Sequence, residues 1–128
     1  MKVLHIVAGS LNSGAAKGSL ALHQGLLELG VDSLLLNNDI PSAQVEATCT
    51  VANTARKKLV LRLKHRLSLL PLCFYRKRLR RIFNTGVDGI DITRLPQYQT
   101  SDIVHLHWIN GLFPIHNLRR VRKPIVWT

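Results

Sequence analysis

The order of apolar and polar stretches along the chain is typical of a protein in which strands and helices alternate. Residues 3–8 form a nearly continuous apolar run, as in a strand that is buried on both faces. Residues 15–29 repeat leucine and alanine at three- and four-residue intervals, which predicts a helix that ends at Gly30. A second apolar run follows at 31–36. Strand, glycine-containing loop, helix and strand together predict the opening of a βαβ unit with a parallel sheet.

The middle of the chain has a different pattern. Residues 37–55 are polar and have no clear period, so we predict a loop. From 55 to 70, leucines recur every three or four residues among arginines and lysines, which predicts a basic amphipathic helix. Pro71 ends or kinks that helix, and the basic stretch 72–83 is expected to form a second helix.

Apolar runs return in the last third of the chain. Residues 103–108 predict a third buried strand, and the pair 110–111, Asn-Gly, is a turn signal at its carboxyl end. Residues 118–122 predict a short helix and 124–127 a fourth strand. The complete pattern predicts an α/β fold with a Rossmann-like parallel sheet and flanking helices.

The composition agrees with a folded domain. The chain has 128 residues, of which 46% are hydrophobic, and this is enough apolar material for a core. It contains no apolar stretch of the roughly 18 residues that a membrane-spanning helix requires. A disordered chain and an integral membrane protein are therefore not expected.

Positive charge is concentrated in one segment. The formal net charge is +11, from 18 basic and seven acidic residues. Eleven of the basic residues lie within 56–81, where there is no acidic residue, and the rest of the chain sums to zero. A basic helix with a row of leucines favours docking to an anionic membrane surface, to which each Lys or Arg contributes about 1 kcal/mol. The predicted docking residues are Arg56, Lys57, Lys58, Arg62, Lys64, Arg66, Arg76, Lys77, Arg78, Arg80 and Arg81.

A non-catalytic module that binds nucleic acid is the alternative function for a chain of this charge. Its aromatic residues in the basic segment are only Phe74 and Tyr75, whereas stacking on single strands uses several spaced aromatic side chains. No known nucleic-acid-binding motif occurs. A solvated helix face is the plainest interpretation, but eleven cations without an acid are unusual for one.

The loop after the first strand is a candidate anion site, because glycines allow a close backbone approach and a helix N-terminus presents free N–H groups. It does not match the dinucleotide fingerprint. As a P-loop it carries Ala15 where the lysine is required, with Lys17 two residues late, so nucleotide binding of that kind is a weak third hypothesis. A sugar-phosphate site at Ser13, Gly14, Ala15 and Lys17 stays open beside a purely structural turn that needs glycine for tight packing.

His105 and His107 lie two residues apart on the third predicted strand, so they point to the same face of the sheet. Ligands of open α/β sheets bind beyond the carboxyl ends of the strands. His107, Trp108, Asn110 and Gly111 are therefore candidate site residues, with the indole as an apolar platform for a sugar ring.

A metal site at these histidines would need a third and a fourth ligand. The remaining histidines are candidates only by default: His5, His23 and His116. We predict no metal, and two histidines that are hydrogen-bonded within the core are the plainer interpretation.

Two parts of the chain resemble bacterial glycosyltransferases of the family-4 type, which have the GT-B fold. The similarity covers roughly 1–36 and 88–128 and indicates a subgroup associated with surface polysaccharide synthesis. The segments that carry it are MKVLHI at 1–6, SGAAKG at 13–18, LHQGL at 22–26, DIVHLHWING at 102–111 and KPIVWT at 123–128.

The resemblance implies that residues 1–128 are an incomplete N-terminal Rossmann-like domain on the acceptor side of a two-domain enzyme, with a basic helical insertion at about 55–84. Such enzymes move a sugar, with retention, from a nucleotide-sugar co-substrate to a saccharide or lipid-linked acceptor, without a metal or other cofactor. The resemblance also implies a cytoplasmic protein, peripheral on the inner face of the cytoplasmic membrane. Because the donor-binding domain would lie beyond this chain, we expect the chain alone to be inactive.

The resemblance implies roles for individual residues as well. Ser13, Gly14 and Ala15 would face the donor diphosphate across the cleft, where backbone N–H groups stabilise a departing phosphate. A histidine at the end of a later strand would lie near the transferred sugar. His107 is the first choice for this catalytic position and His105 the second.

Overall fold

A computed structural model of the chain describes residues 1–10, 12–38, 45–51, 54–75 and 84–128. Its strands are β1 (Lys2–Val7), β2 (Asp32–Asn37), β3 (Thr48–Thr50), β4 (Ile103–Leu106) and β5 (Ile125–Trp127). Its α-helices are α1 (Gly14–Glu28), α2 (Ala55–Ser68) and α3 (Pro96–Thr100). Shorter 3₁₀ helices occur at Leu70–Phe74, Ile92–Arg94 and Ile115–Arg120.

The five strands form one parallel sheet in the order β3-β2-β1-β4-β5. In chain order, β2 and β3 are added on one side of β1, and β4 and β5 are then added on its other side. In the register of β1 and β4, Leu4 lies opposite Val104. The predicted α/β fold with a Rossmann-like parallel sheet and flanking helices is confirmed. Since ligands of such sheets bind where the strand order reverses, the carboxyl ends of β1 and β4 are where a site is expected.

Alternation along β1 and β4 gives the sheet two chemically different faces. On the apolar face, Leu4 and Ile6 of β1 and Leu106 of β4 are buried in the main hydrophobic cluster. Burial of one such side chain contributes about 1.5–3 kcal/mol to stability. The opposite face, which we call the histidine face, carries His5 and Val7 of β1 and is covered by α1.

The helix α1 follows the predicted helix within one residue at each end. It begins after Ser13, whose backbone is extended and whose carbonyl accepts a hydrogen bond from the Lys17 N–H at 2.9 Å. It ends at Glu28, and Gly30 then takes a φ of +73°, a conformation that favours glycine and turns the chain into β2.

The middle of the chain departs from the prediction at one point. Residues 48–50 form β3, which pairs with β2 and is the edge strand among the described residues, where the sequence predicted a loop over 37–55. The predicted helix over 72–83 begins inside the 3₁₀ helix Leu70–Phe74, and residues 76–83 lie outside the described part of the chain. Five of the predicted docking residues also lie outside the described part of the chain: Arg76, Lys77, Arg78, Arg80 and Arg81.

The helix α2 confirms the predicted basic helix but is only lightly packed. Thr54 caps its start, with Oγ1 accepting from the Lys57 N–H at 3.3 Å. None of its 14 residues is buried, and only Leu61, Lys58 and Ser68 are even half-buried. Within the described part of the chain, no helix combines the length and apolar character needed to cross a bilayer.

Candidate functional site

A cavity of about 370 Å³, which we call the edge cavity, opens at the carboxyl ends of β1 and β4. Gly9 after β1 and Asn38 after β2 form one side, and the Gly9 N–H donates to Asn38 Oδ1 at 2.7 Å. Trp108, Asn110 and Gly111 after β4 form another side. Trp108 is 50% exposed, so its indole offers a flat apolar surface at the opening.

The remaining walls of the edge cavity bring charge to it. From α2 come the cations Lys58 and Arg62, together with His65. Across from them lies Asp88, whose side chain is 2% exposed and whose Oδ2 is 2.6 Å from His65 Nδ1. Asp88 Oδ1 is buried and has no hydrogen-bond partner among the described residues. The cavity therefore combines two cations, which attract anions, with a nearly buried carboxylate that holds His65.

The pairing of His65 with Asp88 is the feature of this cavity that sequence reasoning missed. The carboxylate fixes one nitrogen of the imidazole, which leaves the other for a bound ligand, an arrangement in which a histidine can exchange a proton. The only sequence signals were a histidine on the predicted basic helix and the Asp88-Gly89 pair, and neither predicts the contact.

The predicted site residues on and after β4 lie in two different places in the structure. Trp108, Asn110 and Gly111 line the edge cavity, as the position after a strand end predicts. His105 and His107 do not line it, because alternation along β4 turns their side chains to the histidine face, where both are nearly buried.

The predicted anion loop lies beside the edge cavity without lining it. Ser13, Gly14, Ala15 and Lys17 are all exposed at the first turn of α1. A Cβ placed on Gly14 would meet nothing within 4 Å, and the φ of Gly14 is not positive. Neither packing nor backbone conformation requires a glycine there, so the turn does not depend on Gly14 for tight packing. By contrast, Gly9 has a φ of +84°, which favours glycine on conformational grounds.

On the histidine face, His105 and His107 are joined by His5, and we call these three the histidine cluster. His5 lies opposite His105 in the parallel register of β1 and β4. His5 Nδ1 is 3.1 Å from His107 Nε2, and the Thr128 hydroxyl oxygen is 3.0 Å from His107 Nδ1 and 3.3 Å from His105 Nε2. Each of the three rings offers a nitrogen within 4.8 Å of a nitrogen of the other two, which is a spacing at which three imidazoles can share a metal ion.

Burial keeps the histidine cluster uncharged. Burial, aided by repulsion from the other histidines, lowers the pKa of His5 to about 3. Burial and the neighbouring His105 lower the pKa of His107 to about 4, and burial lowers the pKa of His105 as well. At neutral pH the three rings are therefore neutral imidazoles, each with a lone pair on one nitrogen.

The other two histidines that the sequence offered as metal ligands, His23 and His116, are not part of the histidine cluster. His23 is buried on α1, with Nδ1 2.7 Å from Ser33 Oγ and Nε2 3.0 Å from the Glu46 carbonyl. Both of its nitrogens are thus engaged, and it ties α1 to β2. His116 is exposed on the 3₁₀ helix Ile115–Arg120.

Comparison with known proteins finds no relative of this chain. No protein-family model, no curated protein and no solved structure matches the chain.

Proposed function

We propose that the chain is the acceptor-side domain of a retaining glycosyltransferase, which moves a sugar from a nucleotide-sugar donor to a saccharide or lipid-linked acceptor in surface polysaccharide synthesis. The observation that carries this proposal is the position of the edge cavity at the reversal of strand order, between β1 and β4. The residues that line it include Trp108, Asn110 and Gly111, which belong to the longest segment of the family resemblance.

The chemistry of the edge cavity suits a phosphorylated sugar. Lys58 and Arg62 supply positive charge for a phosphate, and the guanidinium can bind two phosphate oxygens at once. The half-exposed indole of Trp108 offers a stacking surface for a pyranose ring. The Asn110 amide can bind sugar hydroxyls, and Asp88 holds His65 at the wall of the cavity.

In the proposed function, the residues of the edge cavity contact the ligand. His107 and His105 lie on the other face of the sheet, so their catalytic role, which the resemblance implies, stays a prediction. Ser13, Gly14 and Ala15 leave open space at the start of α1, and this is compatible with a phosphate approaching the helix N-terminus.

A second part of the proposal is that α2 docks the domain to an anionic membrane. Leu59, Leu63 and Leu67 repeat every four residues, form one row that we call the leucine stripe, and are 66%, 57% and 55% exposed. Arg62 and Arg66 lie along one side of this stripe, and Lys64 lies on the other side. An exposed apolar row between cations fits the boundary between acyl chains and anionic headgroups, where each cation contributes about 1 kcal/mol.

The binding part of the proposal can be tested by titrating the ¹⁵N-labelled chain with UDP- and GDP-sugars and following backbone amide shifts. We expect weak, saturable binding, because the resemblance gives most donor contacts to another domain. The shifts should be largest at Gly9, Gly111 and the Trp108 indole, and Arg62→Ala should abolish them. Arg66→Ala is the matched control, since it removes the same charge from the same helix outside the cavity.

Two outcomes would contradict the glycosyltransferase proposal. One is a set of shifts that avoids the edge cavity or that Arg62→Ala leaves unchanged. The other is tight binding of DNA or RNA with a steep salt dependence, which would favour the nucleic-acid-binding module instead.

A further inference from the structure

The histidine cluster has the donor set of a transition-metal site. Its three imidazoles come from two adjacent strands, so the rigid sheet and not a loop sets their spacing. The 3.1 Å between His5 Nδ1 and His107 Nε2 is close to the roughly 3.3 Å that separates two nitrogens on a tetrahedral ion with bonds of about 2.0–2.1 Å. All three nitrogens lie within 4.8 Å of one another, so a shared ion requires the rings to move closer by up to about 1.5 Å.

Hydrogen bonding inside the histidine cluster leaves one group unexplained. Thr128 and His5 occupy both nitrogens of His107, but His5 Nε2 is buried and has no hydrogen-bond partner among the described residues. A buried ring nitrogen without a partner is costly, and native structures rarely retain one without a reason. An ion shared with His107 would bind His5 through Nδ1, the nitrogen beside His107 Nε2, and would leave Nε2 as an N–H, so the spacing of the three rings is what supports an ion here.

We propose that His5, His105 and His107 form a binding site for one divalent late transition-metal ion, with Zn²⁺ as the expected occupant. Neutral imidazoles favour zinc, copper and nickel, whereas Mg²⁺ and Ca²⁺ require oxygen ligands. The Thr128 hydroxyl lies 3.0 Å from His107 Nδ1, the nitrogen that an ion on Nε2 leaves free, so it would orient this ring while a water takes the fourth position of a tetrahedral ion.

The position of the site indicates a structural role for the ion. It lies on the histidine face, whereas the edge cavity is lined from the apolar side by α2 and the loop after β4. The proposal therefore does not rest on glycosyl transfer. An ion at this position would tie β1 to β4 and would thereby stabilise the centre of the sheet.

The test is calorimetric titration of the chelator-treated chain with Zn²⁺ alone, and with Mg²⁺ as the comparison metal. We expect one Zn²⁺ per chain, a higher melting temperature with Zn²⁺, and no binding of Mg²⁺. His5→Gln and His107→Gln should each weaken Zn²⁺ binding more than about 100-fold, because loss of a ligand costs more than the roughly 10–100-fold loss that follows removal of a supporting group. His116→Gln, at an exposed histidine outside the cluster, is the matched control and should bind as the parent chain does.

A second measurement needs no variant and so does not depend on how well a buried substitution folds. Co²⁺ is paramagnetic and broadens the amide signals of residues near it. In the parent chain we expect broadening around Val7, His105 and Thr128, together with the intense visible absorption of tetrahedral Co²⁺. Broadening confined to His65 or His116, absence of saturable Zn²⁺ binding, or unchanged affinity in folded His107→Gln would each overturn the proposal.

Discussion

Gly89 lies where the chain passes very close to the backbone of Leu112, below the edge cavity. Its φ is +132°, and a Cβ at this position would be 2.5 Å from the Leu112 carbonyl oxygen. The next residue, Ile90, donates its N–H to the same oxygen at 2.8 Å. Only glycine permits this approach, and the approach positions the preceding Asp88 beside the cavity.

We expect Gly89→Ala to lower the free energy of unfolding by about 1–3 kcal/mol, because the new methyl group meets backbone atoms that cannot rotate away. The midpoint of urea denaturation measures this change. Gly25→Ala is the matched control, since Gly25 is helical and a Cβ there meets nothing within 4 Å, so that variant should be neutral or up to about 1 kcal/mol more stable. Equal losses in the two variants would contradict the close contact at Gly89.

The buried imidazoles of His5 and His107 make the metal-free fold sensitive to acid. Their folded pKa values, about 3 and about 4, lie below the ordinary value of 6.5 that they recover on unfolding. As the pH falls below about 6.5, the unfolded chain therefore binds protons that the folded chain does not, and stability decreases. Each of these histidines contributes a slope of up to about 1.4 kcal/mol per pH unit.

In a chelating buffer, the free energy of unfolding should be nearly constant above about pH 7.5 and should fall between about pH 6.5 and 5. Urea denaturation across this range measures the slope. His107→Gln should reduce the slope, and His116→Gln should leave it unchanged. A slope as steep in His107→Gln as in the parent chain would contradict the assignment.

At the level of elements, α2 differs from α1 and α3 because none of its residues is buried. The leucine spacing was sufficient to predict the helix, because a row of leucines at helical intervals requires the same backbone whether it meets protein or solvent. The spacing could not predict that the leucine stripe stays exposed. For β3, in contrast, the sequence could not predict the element itself. Thr48–Thr50 is too short and too polar to give a strand pattern, and its strand conformation comes from pairing with β2.

Leu63→Gln should weaken binding to vesicles that contain phosphatidylserine and leave the free energy of unfolding within about 0.5 kcal/mol of the parent, because Leu63 is 57% exposed. Co-sedimentation with vesicles and urea denaturation measure the two effects. Leu22→Gln on α1, where the leucine is also exposed, is the control and should bind vesicles as the parent does. Equal binding by Leu63→Gln and the parent would argue against docking through the leucine stripe.

At the level of the whole molecule, the fold could be predicted and the two sites only in part. Apolar runs and a helix between glycines were enough for a parallel α/β sheet, and the rule for strand ends led to Trp108 and Asn110. The His65–Asp88 pair and the addition of His5 to the histidine cluster depend on how distant segments meet. Register and helix placement arise from packing, and no local pattern encodes them.

We expect the isolated 128-residue chain to show no turnover of nucleotide sugars, because the proposed function gives most donor contacts to another domain. An assay for release of UDP or GDP in the presence of oligosaccharide acceptors measures this. Robust turnover that Arg62→Ala abolishes would show that the chain is catalytically sufficient, which is contrary to the expectation.

The central position of β1 has a consequence for synthesis of the chain. Lys2 begins a strand whose partner β4 begins about 100 residues later, and the Lys2 N–H is bonded to Asp102 Oδ2 at 2.7 Å. At translation rates of about 5–20 residues per second, β1 waits roughly 5–20 s after its own synthesis before β4 leaves the ribosome. During that interval one edge of β1 is unpaired and open to other chains, so a nascent-chain chaperone should matter more for this protein than for one whose central strand pairs with near neighbours.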